Sequence, residues 1–190
     1  MSDYKHCCHP HRQNQVVLNC GTGTGVILPS HKERDSQLTN PYVVASVTLD
    51  TSGLYKPTVK VDFSCIITYK EESYYGTSDL RLTFQLSKVC NGAKIALGTW
   101  NFERDVDFSC YSKAAEGDTE QQNARSGGLK LKVDTVDSFS FIFCECQDCP
   151  ECCHYMVELT NVESYNVDFA AVSQAAISAM AVGPMASFGD

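Results

Sequence analysis

From Gln15 to about Thr160 the apolar residues recur at every second position, the spacing of a half-buried strand and not the 3.6-residue spacing of a helix. Val43, Ala45, Val47 and Leu49 alternate with Val44, Ser46 and Thr48. Val59, Val61, Phe63, Cys65 and Ile67 face one way, with Lys60, Asp62, Ser64 and Thr68 opposite. Leu80, Leu82, Phe84 and Leu86 alternate with Arg81, Thr83, Gln85 and Ser87. Leu129, Leu131 and Val133 form a further face, then Phe139, Phe141 and Phe143, then Tyr155, Val157 and Leu159. The parity switches between Leu97 and Trp100, so a bulge across Gly98-Thr99 is expected to return Trp100 and Phe102 to the inward face. Turn residues at Thr51-Ser52-Gly53, Asn91-Gly92 and Ser126-Gly127-Gly128 separate the runs.

With Gln15–Cys20 and the short Val26–Leu28 segment added, roughly nine strands are expected, at the spacing of a sandwich. Most have one polar face, which fits antiparallel sheets covered on one side better than a parallel α/β core. The expected fold is all-β, a jelly-roll-like antiparallel β-sandwich over residues 15–161. Residues 1–14 lack apolar periodicity and read as an N-terminal connector arm. Residues 162–190 turn to Ala, Ser, Met and Gly and read as an Ala-rich C-terminal tail. Alanine's helix propensity fits a short helix over Ala170–Ala181; its small apolar surface equally fits an extended arm docked on a neighbour or on the body.

At 190 residues the chain is long enough to bury a core without relying on disulfides. A net charge of −8 argues against binding a nucleic-acid backbone, which requires clustered Lys and Arg. No apolar stretch is long enough for a transmembrane helix, and no Sec-type apolar segment is visible near Met1. Asp105, Asp107, Glu116, Asp118 and Glu120 read as a solvated loop. GTGTG at Gly21–Gly25 lacks the Lys-Ser/Thr ending of a phosphate loop and runs into the extended VILP, so it reads as a flexible turn. No GxSxG, HExxH or paired-carboxylate pattern appears, and no enzymatic activity or cofactor is expected.

The cysteines change the picture. There are eleven, an odd number, so pairing within one chain leaves at least one thiol for another partner. Five lie in CECQDCPECCH, Cys144 to His154. Cys144, Cys146, Cys149 and His154 read first as a region of disulfide staples; their soft donors and spacing make a single-turn zinc site the alternative. A thioredoxin-type centre needs a βαβ setting, which the periodicity denies. CCHPH, Cys7 to His11, offers copper or zinc donors. Cys7 and Cys8 are adjacent, and one peptide unit is too short for a relaxed disulfide, so they are placed to reach two different partners.

VLNCGTGTG, VTLDTSGLYKPTVKVDFSCII, GTWNFER and SFSFIFCECQDCPECCHYMVELT resemble the signature blocks of an uncharacterised cysteine-rich family of spore-forming clostridia. More loosely, an arm with Cys7-Cys8 before a β-sandwich is similar to subunits of the endospore appendages of bacilli. That resemblance implies a jelly roll whose connector cysteines bond body cysteines of a preceding subunit in a helical fibre. By position, Cys7 and Cys8 then match the connector pair, Cys20 one acceptor, and Cys152 or Cys153 an acceptor near the last strand. The function expected is a self-assembling, disulfide-crosslinked filament subunit, extracellular or on a spore surface. A cysteine-rich metal-binding module is the alternative.

Overall fold

The computed structural model describes residues 13–28, 40–73, 77–107, 131–147 and 151–186. Ten strands follow one another along the chain: β1 (Asn14–Cys20), β2 (Thr22–Gly23), β3 (Val26–Leu28), β4 (Tyr42–Asp50), β5 (Thr58–Ser73), β6 (Thr77–Cys90), β7 (Ala93–Asp107), β8 (Leu131–Cys146), β9 (Cys152–Tyr165) and β10 (Val167–Pro184). All pair antiparallel in two sheets. Sheet one has the order β1-β10-β5-β8, with β3 also on β10; sheet two is β2-β4-β9-β6-β7. With the short β2 and β3 set aside, the pairs nest as first with last: β1 with β10, β4 with β9, β5 with β8, β6 with β7. Successive pairs alternate between sheets, which is the arrangement of a long hairpin rolled around its own core. The expected jelly-roll-like sandwich is the fold.

Alternation set the core. Val59, Val61, Phe63, Cys65, Ile67 and Tyr69 from β5 face Leu80, Leu82, Phe84 and Leu86 from β6, with Tyr155, Val157 and Leu159 from β9 beside them, all buried. Burial at roughly 25 cal/mol per Å² of apolar surface makes this the main stabilising term. The aromatic seam of β8 closes one side: Trp100 lies flat on Phe141, centroids 3.9 Å apart and 3° from parallel, and Phe84 stacks on Phe139 at 4.7 Å. The bulge that admits Trp100 sits at Leu97, one residue before its expected place, because Leu86 pairs Gly98 while Ser87 pairs Ala96. Gly98 lacks the Cβ that would collide with the Trp100 ring.

Four expectations change. The first concerns the expected tail, residues 162–190: as far as residue 186, where the described residues end, it belongs to the sandwich, because β9 runs to Tyr165 and β10 is an 18-residue strand between β1 and β5. Val167, Ala170, Val172, Ile177, Ala179 and Ala181 face the core, so sheet pairing on both edges overrides alanine's helix propensity. In β4 the second of these, the alternation slips at Val44, leaving Val43 half exposed while Val44 and Ala45 are both buried. A third is that Asp105 and Asp107 belong to β7, paired with Asp79 and Thr77, while Glu116, Asp118 and Glu120 lie outside the described residues. Finally, GTGTG is a crossover: the chain leaves β10 after Cys20, pairs with Ser46 and Ala45 of β4 through Thr22 and Gly23, and returns to β10 at Val26. A Cβ on Gly21 would strike the Ser46 carbonyl, and one on Gly23 the Ala175 carbonyl, so close backbone approach requires both glycines.

Candidate functional site

Cysteines gather at one end of the sandwich, where the β8–β9 connection passes the β6–β7 turn. Cys90 and Cys153 stand directly opposite across β6 and β9, Cα atoms 4.6 Å apart, and are joined as a disulfide. That spacing is the close, non-hydrogen-bonded kind of antiparallel pair, in which side chains approach best. Both residues are buried. Cys153 is therefore not an acceptor for another chain in this form, contrary to the expectation from the sequence. Its partner Cys90 was no candidate, since nothing local to Val89-Cys90-Asn91-Gly92 marks a bond to a residue 63 positions on.

Polar side chains brace the same end from inside. Lys88 Nζ lies 2.8 Å from Glu145 Oε2, with both side chains largely covered. Tyr155 donates its hydroxyl to Glu145 Oε1 at 2.8 Å, and Gln147 Nε2 donates to the Tyr155 oxygen at 2.8 Å. Burial pushes the Tyr155 hydroxyl far above the ordinary phenol range, and the Glu145 carboxylate adds to it, so this group stays protonated. Thr51 ties the connection down: its Oγ1 is 3.0 Å from Gln147 Oε1 and accepts from the Glu151 N–H at 3.0 Å. Asn91 Nδ2 donates to Glu151 Oε2 at 2.6 Å, linking the two turns.

Other thiols are distributed by strand parity. Cys144 and Cys146 point outward from β8 at the edge of sheet one, opposite Lys60 and Thr58. Cys20, at the end of β1, is exposed on the same outer face, beside a hollow at the β10 bulge lined by Asp62, Ile142 and Ser178, with the core residues Phe63, Phe141 and Ile177 beneath. Cys152 is exposed on sheet two, next to His154, whose Nδ1 is 3.0 Å from Thr48 Oγ1. Cys65 is buried in the core, and desolvation raises its thiol to about 12, far from reactivity.

The alternative metal set does not converge: Cys144 and Cys146 belong to one sheet, His154 to the other, and Cys149 lies outside the described residues. Cys7 and Cys8 also lie outside them. Among the described residues the only group of metal-type donors close together is Cys90, Glu151 and Cys153, their ligand atoms all within 4.8 Å of one another. Along β1 from Cys20 the outer face carries Leu18 and Val16, 63 % and 62 % exposed, across from Met180 and Val182, while Ser178 lies opposite Cys20 itself.

No curated protein and no solved structure matches the chain. The chain belongs to a protein family defined by a domain of unknown function, DUF4489, whose model matches residues 14–182. That span runs from the start of β1 nearly to the end of β10, so the family domain is the whole sandwich, β10 included.

Proposed function

Proceeding from a family without an assigned function, we propose that the protein is a structural subunit that self-assembles into a disulfide-crosslinked filament, extracellular or on a spore surface. One observation carries this reading. The buried cysteine pair is already closed within the chain, while Cys20, Cys144, Cys146 and Cys152 remain free and exposed. Thiols placed outward on rigid strands are free to bond another chain, and Cys7 and Cys8 precede β1, the strand that carries Cys20. The exposed Val16 and Leu18 supply apolar surface along β1 from Cys20, of the kind that marks protein contacts. An arm of one subunit bonded to the body of the next is a heterologous contact, which repeats into an open helix unless it closes a ring. The loose resemblance to endospore appendage subunits points the same way. The role is mechanical and requires no catalytic step or resident cofactor.

Negative-stain microscopy of the oxidised protein, with non-reducing gels of the same sample, tests this. Filaments and a ladder of covalent multimers are expected. The double variant C7S/C8S should collapse the ladder to monomer, and C20S should thin it. Monomer alone by microscopy and gel, in the oxidised wild type, overturns the proposal.

A further inference from the structure

The geometry points to a second chemical state for the closed cysteine pair: in its dithiol form, we infer, Cys90 and Cys153 hold a Zn²⁺-type divalent ion together with Glu151. The three donors come from three places in the chain, the end of β6, the start of β9 and the connection before it, and still lie within 4.8 Å of one another. Thiolates about 2.3 Å from a tetrahedral zinc stand roughly 3.8 Å apart. Two cysteines with Cα atoms 4.6 Å apart reach that separation by side-chain rotation once the sulfur–sulfur bond is open. Glu151 is pre-oriented as metal ligands usually are, its carboxylate by the Asn91 amide and its backbone by Thr51.

Charge supplies the second argument. Among the described residues no Lys or Arg pairs with Glu151; its carboxylate meets an amide and two sulfurs. Two thiolates beside that half-buried carboxylate repel one another, and a divalent cation removes the repulsion. The fourth position is left for water, so binding is reversible and not the closed four-ligand kind. Ion and disulfide exclude each other. A low-molecular-weight disulfide accepts two electrons from the dithiolate: the Cys90–Cys153 bond forms, the reagent's bond breaks, its halves leave as two thiolates that take protons from water, and the metal ion is released. The ion would thus hold the two strands in register in a reducing compartment until oxidation replaces it with a covalent bond. This stands whether or not the chain forms filaments.

The test uses the full chain with every cysteine except Cys65, Cys90 and Cys153 changed to Ser, so that other thiols do not compete. After phosphine reduction it is titrated with Co²⁺ without oxygen, and then with Zn²⁺. Expected are a thiolate-to-cobalt charge-transfer band and tetrahedral d–d bands that saturate at one equivalent and vanish with Zn²⁺. Adding C90S/C153S should abolish them, E151Q should weaken binding tenfold or more, and oxidation with glutathione disulfide should bleach them as the pair closes. Absence of the bands overturns the inference, as does their survival in C90S/C153S. If C90S/C153S fails to fold by circular dichroism, E151Q decides, because it leaves both thiols in place: unchanged affinity there overturns the site.

Discussion

Glu71 is the least comfortable residue in the molecule. It is 1 % exposed on β5, and among the described residues neither carboxylate oxygen has a hydrogen-bond partner that meets normal geometry. Among the described residues Ser78 and Ser164, also buried, likewise leave their hydroxyls without a partner of normal geometry. Desolvation raises the Glu71 carboxyl above its usual 4.5, while Ser78 and the Arg104 charge draw it partly back. The folded state therefore holds this proton more tightly than the unfolded chain does. Stability from this group is complete below about 4.5 and is lost as pH rises through the higher folded value, because unfolding then releases a proton. Glu71→Gln should flatten that slope and raise the melting temperature at pH 7 while changing little at pH 4. A gain of 1 kcal/mol would read as roughly 2–4 °C in a chain of this size. Melting curves of both proteins across this range decide it, and parallel slopes would contradict the argument.

Among the elements, β10 does the most with the least side chain. It pairs with β5 along one edge and with both β1 and β3 along the other. Gln174, at a positive φ of 49°, marks the break in its register between Ser173 and Ala176. Opposite that break the GTGTG crossover presses Gly23 against the Ala175 carbonyl. Small residues on β10 and glycines on the crossover are two halves of one fit. Gly23→Ala should therefore destabilise the fold by about 1–3 kcal/mol through overpacking. Gly53→Ala, where nothing lies within 4 Å, should stay within about 0.5 kcal/mol of the parent. Urea unfolding of the two variants checks this, and equal midpoints would show that the crossover yields easily.

Across the whole molecule, the Cys90–Cys153 bond ties β6, the last strand before the midpoint of the roll, to β9, its neighbour in sheet two. Its residues are 63 apart in sequence, so in the chain-entropy model it constrains the unfolded state by about 4 kcal/mol. The polar brace of Lys88, Glu145, Tyr155, Gln147 and Thr51 spans the same end without it. Reduction should accordingly lower stability by about that amount while leaving the β-rich circular dichroism spectrum intact in the absence of denaturant. Denaturant unfolding of oxidised and reduced protein measures the difference. Loss of the β signal on reduction alone would show that the bond, and not the core, holds the sandwich together.

Strand identity in β5, β6 and β9 was legible from the residues alone, because alternation is a property of neighbours two positions apart and one face of each strand must be buried. The same local rule located the bulge before Trp100 to within one residue. It failed where the evidence is not local. Ala170–Ala181 carries an alternation muted by small side chains, and only the flanking strands β1, β3 and β5, all more than a hundred residues upstream, make it a strand. Val43 and Val44 are equally apolar, and which one faces inward was settled by register against Glu158 and Val157. The cysteine run likewise announced chemistry but not its partner. Parity placed Cys152 and Cys153 on opposite faces, and Cys90 came opposite Cys153 only through the pairing of β6 with β9, a register set by the packing of the whole core.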